Sequence, residues 1–334
     1  MRARLSILDL APVARGQTAG ESFAASVALA RRAEELGYER VWYAEHHNIP
    51  TIASSATSVL IAHVGAHTRT IRLGAGGVML PNHAPLLIAE QFGTLEAMYP
   101  GRIDLGLGRA PGSDQNTSRA LRRDPNSSDT FPQDVLELQG YLTGNSVIPD
   151  VDAIPGKGSN VPLYILGSSL FGAKLAAALG LPYAFASHFA PAALEPALAA
   201  YRAEFLPSAQ LDLPYVIAGV NVLAADTAAA AETQLQSVRR ARAVGQFGRR
   251  FRLAGPDVTD EQADKILAAG AAPHVDESLT YTAVGTPGHV REFLDGFLRL
   301  TNADEVITVH PTPIAEDRLR SVTLLMEAMQ AANA

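Results

Sequence analysis

The chain has 334 residues, 47% of them hydrophobic and 18% charged, with a formal net charge of −7 and a pI of about 5.7. That is enough apolar sequence for one large core, and the absence of a basic cluster argues against a nucleic-acid partner. Cysteine is absent, which excludes disulfides, thiolate catalysis and cysteine-ligated metal clusters.

The first residues, Met1 to Ser6, lack the apolar core of a signal peptide, and no run approaches the roughly 20 apolar residues of a membrane helix. A soluble cytoplasmic protein with no membrane partner is therefore expected. Leu5–Leu10 reads as a strand. Ser22–Leu36 reads as a helix with Phe23, Val27 and Ala30 on one face and Gly37 as its stop. Val41–Ala44 is the second strand and runs into Glu45-His46-His47. An Ala/Val/Leu/Ile helix follows at Ser54–His67, then a strand at Ile71–Ala75 that opens into Gly76-Gly77 and a Pro/Asn/His loop. Pro85–Tyr99 is helical, with apolar residues at Leu87, Phe92, Leu95 and Met98; Pro85 suits a first helical position, and Pro100-Gly101 ends the helix. Ile103–Leu107 is the next strand, closing a βαβ unit whose strands should lie parallel.

Gly112–Asp129 is polar and reads as an excursion over one end of the molecule. Phe131–Thr143 is helical, and Gly144–Asn160 is a Pro/Gly-rich loop. The alternation then resumes: strands at Leu163–Leu166, Tyr183–Ala186 and Tyr215–Ala224, with helices at Ser168–Leu179, Pro191–Phe205 and from Asp226 to about Ala243. Gln246–Tyr281 breaks the pattern with one or two short helices. Val290, Phe293, Leu294, Phe297 and Leu298 give the helix at Pro287–Leu300 a core-facing stripe. Glu305–Val309 is the last strand and a helix ends the chain. Eight strands, nearly all followed by helices, favour a closed (β/α)8 TIM barrel in a single domain over 1–334, with insertions over its C-terminal mouth; an open doubly wound sheet is the other solution. Gly74-Ala-Gly-Gly lacks the Gly-x-Gly-x-x-Gly spacing of a dinucleotide fold.

In a barrel the site lies at the C-terminal strand ends, and the unusual residues collect there: Glu45-His46-His47 after strand two, Gly76-Gly77 after three, Gly108-Arg109 after four, Gly167-Ser168-Ser169 after five. Glycines there let backbone approach a ligand, or are ordinary turn glycines. Arg109 can fork onto a phosphate or carboxylate, or lie on the surface. Ser168 and Ser169 open a helix whose free N–H groups suit an anion, or they simply cap it. One histidine of the triplet faces the cavity as a general acid/base, or is buried and satisfied by backbone. Neighbouring strand residues point to opposite sides, so His46 and His47 are poorly placed to share an ion, and no metal is expected. His83 could reach the mouth or be merely exposed, and Asp9 could face substrate or cap a turn. Trp42 and Tyr43 read as core.

Glu45-His46-His47, the Gly-Gly-Val-Met-Leu-Pro run from Gly76 and Tyr-Pro-Gly-Arg-Ile-Asp-Leu-Gly-Leu-Gly-Arg ending at Arg109 together resemble the bacterial luciferase-like flavin monooxygenases. The resemblance runs from Leu5 to about Pro313 and is to the uncharacterised luciferase-like branch, not to true luciferase subunits. It implies a (β/α)8 barrel that uses reduced FMN, supplied by a separate reductase, with O2 to form a C4a-peroxyflavin that attacks a small substrate such as an aldehyde or ketone. It further implies that His46 is catalytic and that Gly76-Gly77 is a non-prolyl cis peptide beneath the flavin ring. Arg109 with Gly167, Ser168 and Ser169 would hold the FMN phosphate, and the Ser54–His67 and Pro85–Tyr99 helices would form a homodimer face. True luciferase subunits carry glutamate at the position of Gly167 and threonine at that of Phe171. A deazaflavin-dependent oxidoreductase of the same superfamily and a flavin-binding protein without turnover are the alternatives.

Overall fold

The computed structural model describes residues 3–110, 114–124, 126–251, 253, 255 and 257–330. Residues 111–113 and 125 of the stretch after the fourth strand lie outside that set. The elements run β1 (Arg4–Asp9), α1 (Ala19–Leu36), β2 (Arg40–Tyr43), α2 (Thr57–Gly65), β3 (Arg72–Met79), α3 (Pro85–Met98), β4 (Ile103–Gly108), α4 (Gln115–Ala120) and α5 (Phe131–Thr143). Next come β5 (Leu163–Gly167), α6 (Leu170–Leu179), β6 (Tyr183–Phe185), α7 (Leu194–Glu204), β7 (Val216–Ala224), α8 (Ala228–Phe247), α9 (Asp260–Ile266) and α10 (Ala272–Ser278). β8 (Thr282–Gly285), α11 (Pro287–Thr301), β9 (Glu305–Val309) and α12 (Ala315–Gln330) complete the chain.

Every strand pairing is parallel, and β1 to β7 with β9 close into a TIM barrel through β6–β7 and β7–β9. Period-two alternation sorts the strand residues between two cores. Leu8, Trp42, Ala44, Tyr164, Ala184, Ile217, Ile307 and Val309 fill the barrel interior. Their immediate neighbours, among them Ile7, Val41, Tyr43, Ile165, Ala218 and Val306, face the helices. Because both faces are covered, the strands read as continuous apolar runs, as parallel sheets require.

A ninth strand, β8, falls just after the stretch where the sequence pattern breaks. It pairs with the last four residues of β7, Asn221 with Thr282 through Ala224 with Gly285, while the first half of β7 closes the barrel. A nine-residue β7 is long enough to do both. Helix α1 begins three residues ahead of the apolar stripe, because Thr18 and Glu21 form a reciprocal capping box. The apolar residues of α3 divide between two faces: Ile88, Phe92 and Leu95 are buried, whereas Leu87 and Met98, eleven residues apart, share the exposed face. Among the described residues no helix is long and apolar enough to cross a membrane.

The lower, N-terminal end of the barrel is closed by charge. Arg40 donates Nε and Nη2 to the two carboxylate oxygens of Glu305 at 2.9 and 3.1 Å, and Nη1 to Asp104 Oδ2 at 2.7 Å and to the Tyr164 hydroxyl at 2.9 Å. Trp42 Nε1 also donates to Asp104, and Tyr215 to Glu305. Arg72 supplies the second cation on Asp104.

Glu34, near the end of α1, accepts the backbone N–H groups of Arg69, Thr70 and Ile71 at 2.8, 2.6 and 3.0 Å, tying the helix to the entry of β3. Burial raises its pKa, but these N–H groups and the Thr70 hydroxyl outweigh burial and bring it down to about 2. The folded pKa lies below the unfolded value of about 4.3, so this stabilisation is present above that pH and is lost as pH falls toward 2. Glu34→Gln is expected to be less stable than wild type by about 1–2 kcal/mol near neutral pH. Urea midpoints of the two proteins should converge as pH is lowered through that window.

Candidate active site

All strands run parallel, so their C-terminal ends meet at one mouth, and β2, β3, β4 and β5 are successive neighbours there. The stretches singled out in the sequence are therefore brought together in order around one side of it: Glu45–His47, Gly76–Gly77, Arg109, and Gly167–Ser169. Met79 lies opposite Gly108, and Gly108 opposite Leu166, which sets Arg109 beside the end of β5.

The Gly76–Gly77 peptide is cis. It sits in a bulge, where the step from Ala75 to Val78 on β3 spans only Leu105 to Leu107 on β4. Both glycines are buried, and the atoms they lack would point into the protein. A Cβ on Gly77 would lie 2.7 Å from the Gly106 carbonyl oxygen, and one on Gly76 would lie 2.8 Å from Trp42 Cβ and 2.9 Å from Leu8 Cδ1. Packing against β4 and the barrel core thus demands glycine here, and whatever surface the pair presents to the mouth is backbone.

Glu45 is the polar hub of the mouth. It is 2% exposed. Its backbone N–H donates to the Gly77 carbonyl at 3.3 Å, and its Oε2 accepts the Met79 N–H at 3.0 Å. Its other oxygen, Oε1, lies 2.7 Å from His47 Nε2 and 2.8 Å from His83 Nε2. Burial raises the carboxyl pKa, but the His83 and His47 contacts with the Met79 N–H outweigh it, and the net direction is down. His83 is thereby drawn into the site from the short 3-10 turn after β3. These three residues are the one His/Glu grouping among the described residues whose ligand atoms lie within 4.8 Å of one another. A zinc ion bonded at about 2.0–2.1 Å would hold tetrahedral ligands about 3.3 Å apart. The observed separations are those of hydrogen bonds, and an ion would have to force the cluster open.

His46 is partly buried between these anchored neighbours. Its ring lies within electrostatic range of His188, which no motif marks in the sequence. His188 follows β6 and is 8% exposed; burial, then Arg242, then His46 push its pKa down to about 3. Its Nδ1 is buried without a hydrogen-bond partner among the described residues, packed where a Cβ on Gly219 would come within 2.4 Å. Its carbonyl accepts from Asn221 Nδ2 at 2.6 Å and Arg242 Nη2 at 3.0 Å. The available signal was its position, a Ser-His pair directly after a strand.

Arg109 makes no hydrogen bond or ion pair among the described residues. Its Cζ lies 3.9 Å from the centroid of the Phe171 ring, a stacked cation–π contact. Phe171 is in the first turn of α6. Ser169 is the N-cap of that helix, yet its side chain makes no capping bond, so capping by Ser169 is not realised. Both excursions meet above the mouth: Asp114, which caps α4, receives Asn48 Nδ2 at 3.5 Å and Arg249 Nη1 at 2.6 Å, and Asn48 also bonds Thr117.

Residues 3–304 match the family model described as luciferase-like monooxygenase. The chain is 48% identical to the luciferase-like monooxygenase of Escherichia coli K12, over 97% of this chain and 96% of that one. It is 33% identical to the N-acetyl-S-alkylcysteine monooxygenase of Bacillus subtilis, over 98% and 99%. The crystal structure of apo-MsnO8 superimposes with a TM-score of 0.86 at 38% identity, covering 98% and 99%. The chain belongs to the luciferase-like monooxygenase family. It is a flavin-dependent monooxygenase by that membership. The fold alone is shared with the FMN complex of a 3,6-diketocamphane monooxygenase component (TM-score 0.72, 17% identity) and with an F420-dependent secondary alcohol dehydrogenase (TM-score 0.71, 14% identity).

Gly77→Ala is expected to push β3 away from Gly106 and destabilise the protein by about 1–3 kcal/mol. A thermal melt equal to that of wild type would show that the two strands are free to part.

Proposed function

We propose that this protein is the oxygenating member of a two-component system, taking reduced FMN from a separate flavin reductase and using O2 to oxygenate a small organic substrate such as an aldehyde or ketone. The observation that carries this reading is the state of Arg109: a guanidinium with no carboxylate partner among the described residues, stacked on Phe171 beside a helix start whose N-cap side chain makes no capping bond. A terminal phosphate suits that arrangement, since it takes charge-assisted bonds from the arginine and the free N–H groups. Arg109, Gly167, Ser168 and Ser169 would hold the phosphate, and the backbone of Gly76 and Gly77 would lie under the ring.

When bound, reduced FMN supplies the electrons that activate O2; the protein supplies position and shielding. His46, held between Glu45 and His47, holds or moves the proton the substrate step requires. The segments joined through Asp114 and Arg249 keep bulk water from the mouth. A deazaflavin-dependent hydride transfer is the second reading, because the same fold carries it; FMN is preferred because Glu45-His46-His47 and the Leu-Gly-Leu-Gly-Arg run ending at Arg109 match the FMN branch. A protein that binds flavin without turnover is the third.

Titration of the purified protein with FMN, reduced FMN and F420 separates the first two, and product formation with a reductase present separates the third. Arg109→Ala should weaken FMN binding at least about tenfold while leaving riboflavin affinity unchanged, the loss of one or two charge-assisted bonds; equal FMN affinity would remove Arg109 from the phosphate site. His46→Ala should bind FMN normally and form no product, and full turnover would reject its proton role.

The helices α2 and α3 expose Val59 (68%), Leu87 (54%) and Met98 (51%). This apolar face supports a homodimer. The double variant Val59→Asp, Leu87→Asp is expected to elute as a monomer on size exclusion, and an unshifted dimer peak would place the interface on another face.

A further inference from the structure

Glu45, His47 and His83 meet on a single oxygen, and the protonation of the carboxylate decides what the two rings can be. An ionised carboxylate has no proton to give. Glu45 is held in that form by the two imidazoles and the Met79 N–H, and its Oε1 lies 2.7 and 2.8 Å from His47 Nε2 and His83 Nε2. Each of those nitrogens must therefore carry a hydrogen. In a neutral imidazole the other nitrogen then keeps its lone pair. Neither Nδ1 has a partner among the described residues, and neither is sealed from solvent; the side chains are 18% and 29% exposed.

We infer that Glu45 is the positioning residue of this mouth, fixing His47 and His83 together as Nε2–H tautomers so that two Nδ1 lone pairs stand ready as proton acceptors on either side of the His46 loop. This deepens the function proposed above and rests on it for the reaction served, but the tautomer assignment rests only on the contacts of an ionised Glu45. Glu45 reaches three separate pieces of chain. Its backbone N–H holds Gly77, its Oε2 holds Met79, and its Oε1 holds the loop after β2 and the turn after β3. His46 lies between two residues so tied, which limits where its own ring can go.

A glutamine cannot replace this carboxylate. Its amide has one accepting end and one donating end. With the oxygen toward the histidines, its NH2 meets the Met79 N–H; turned over, the NH2 meets both Nε2–H groups.

The test is 15N NMR of the histidine ring nitrogens in the flavin-free protein at about pH 8, above the ordinary imidazole pKa of about 6.5. In wild type, His47 and His83 should each show at least about a tenfold preference for the Nε2–H form, the worth of a hydrogen bond to a charged acceptor. In Glu45→Leu, which removes the acceptor altogether, both rings should lose that preference, and Glu45→Asp should keep more of it. An Nδ1–H ring at either position in wild type, or unchanged preferences in Glu45→Leu, would overturn the inference. Wild type decides its first half even if the leucine variant does not fold. FMN titration of the same wild-type sample keeps the two readings apart: absent FMN binding defeats the proposed function and leaves the ring-nitrogen result standing.

Discussion

The contact on which the barrel most depends is the Arg40 guanidinium enclosed between Glu305 and Asp104. It joins the first residue of β2 to the first of β9 and the second of β4, and its Tyr164 bond adds β5. Burial disfavours the charged arginine, but Glu305 and Asp104 more than offset it and raise its pKa. With Arg72 the buried cluster sets two cations against two carboxylates, and the partly exposed Glu39 lies 3.8 Å from Arg40. Such a cluster is weak evidence of net stability, but loss of one member strands the others in a dry interior, at a cost of about 3–5 kcal/mol. Its value here is geometric: it fixes how four strands start, and hence how their far ends are spaced.

Those far ends carry the chemistry. The same strands that begin in arginine and carboxylate finish in glycine, histidine and serine, so structural charge and reactive groups are kept at opposite ends of one barrel. The separation lets each end be polar in its own way. At the lower end Arg40, Arg72, Asp104 and Glu305 are paired with one another, whereas at the mouth Arg109 rests on an aromatic ring and His188 has a buried nitrogen without a partner among the described residues.

Much of this was legible in the sequence. Apolar runs bounded by glycine and proline located the eight barrel strands, and the fixed direction of βαβ units put the ends of β2 to β5 together. The ninth strand was not legible, because Thr282–Gly285 is short and borrows its partner from the upper half of a strand already counted. The start of α1 was missed because a capping box, not the apolar stripe, sets it. Side-chain direction was harder still. Leu87 and Phe92 look alike in sequence and fall on opposite sides of α3. His83 read as a loop histidine, since nothing local says that a carboxylate 38 residues earlier waits for it. His188 left only a weak positional trace.

The stacking of Arg109 on Phe171 has a consequence for how fast an anion could be caught. An arginine parked on a carboxylate must first break that bond, and its field is cancelled until it does. A ring holds the guanidinium by one face while leaving its edge, where the five N–H groups point, unengaged and its charge uncancelled. The arginine is thus stored in a form that still draws negative charge from a distance and, among the described residues, has no ion pair to break first.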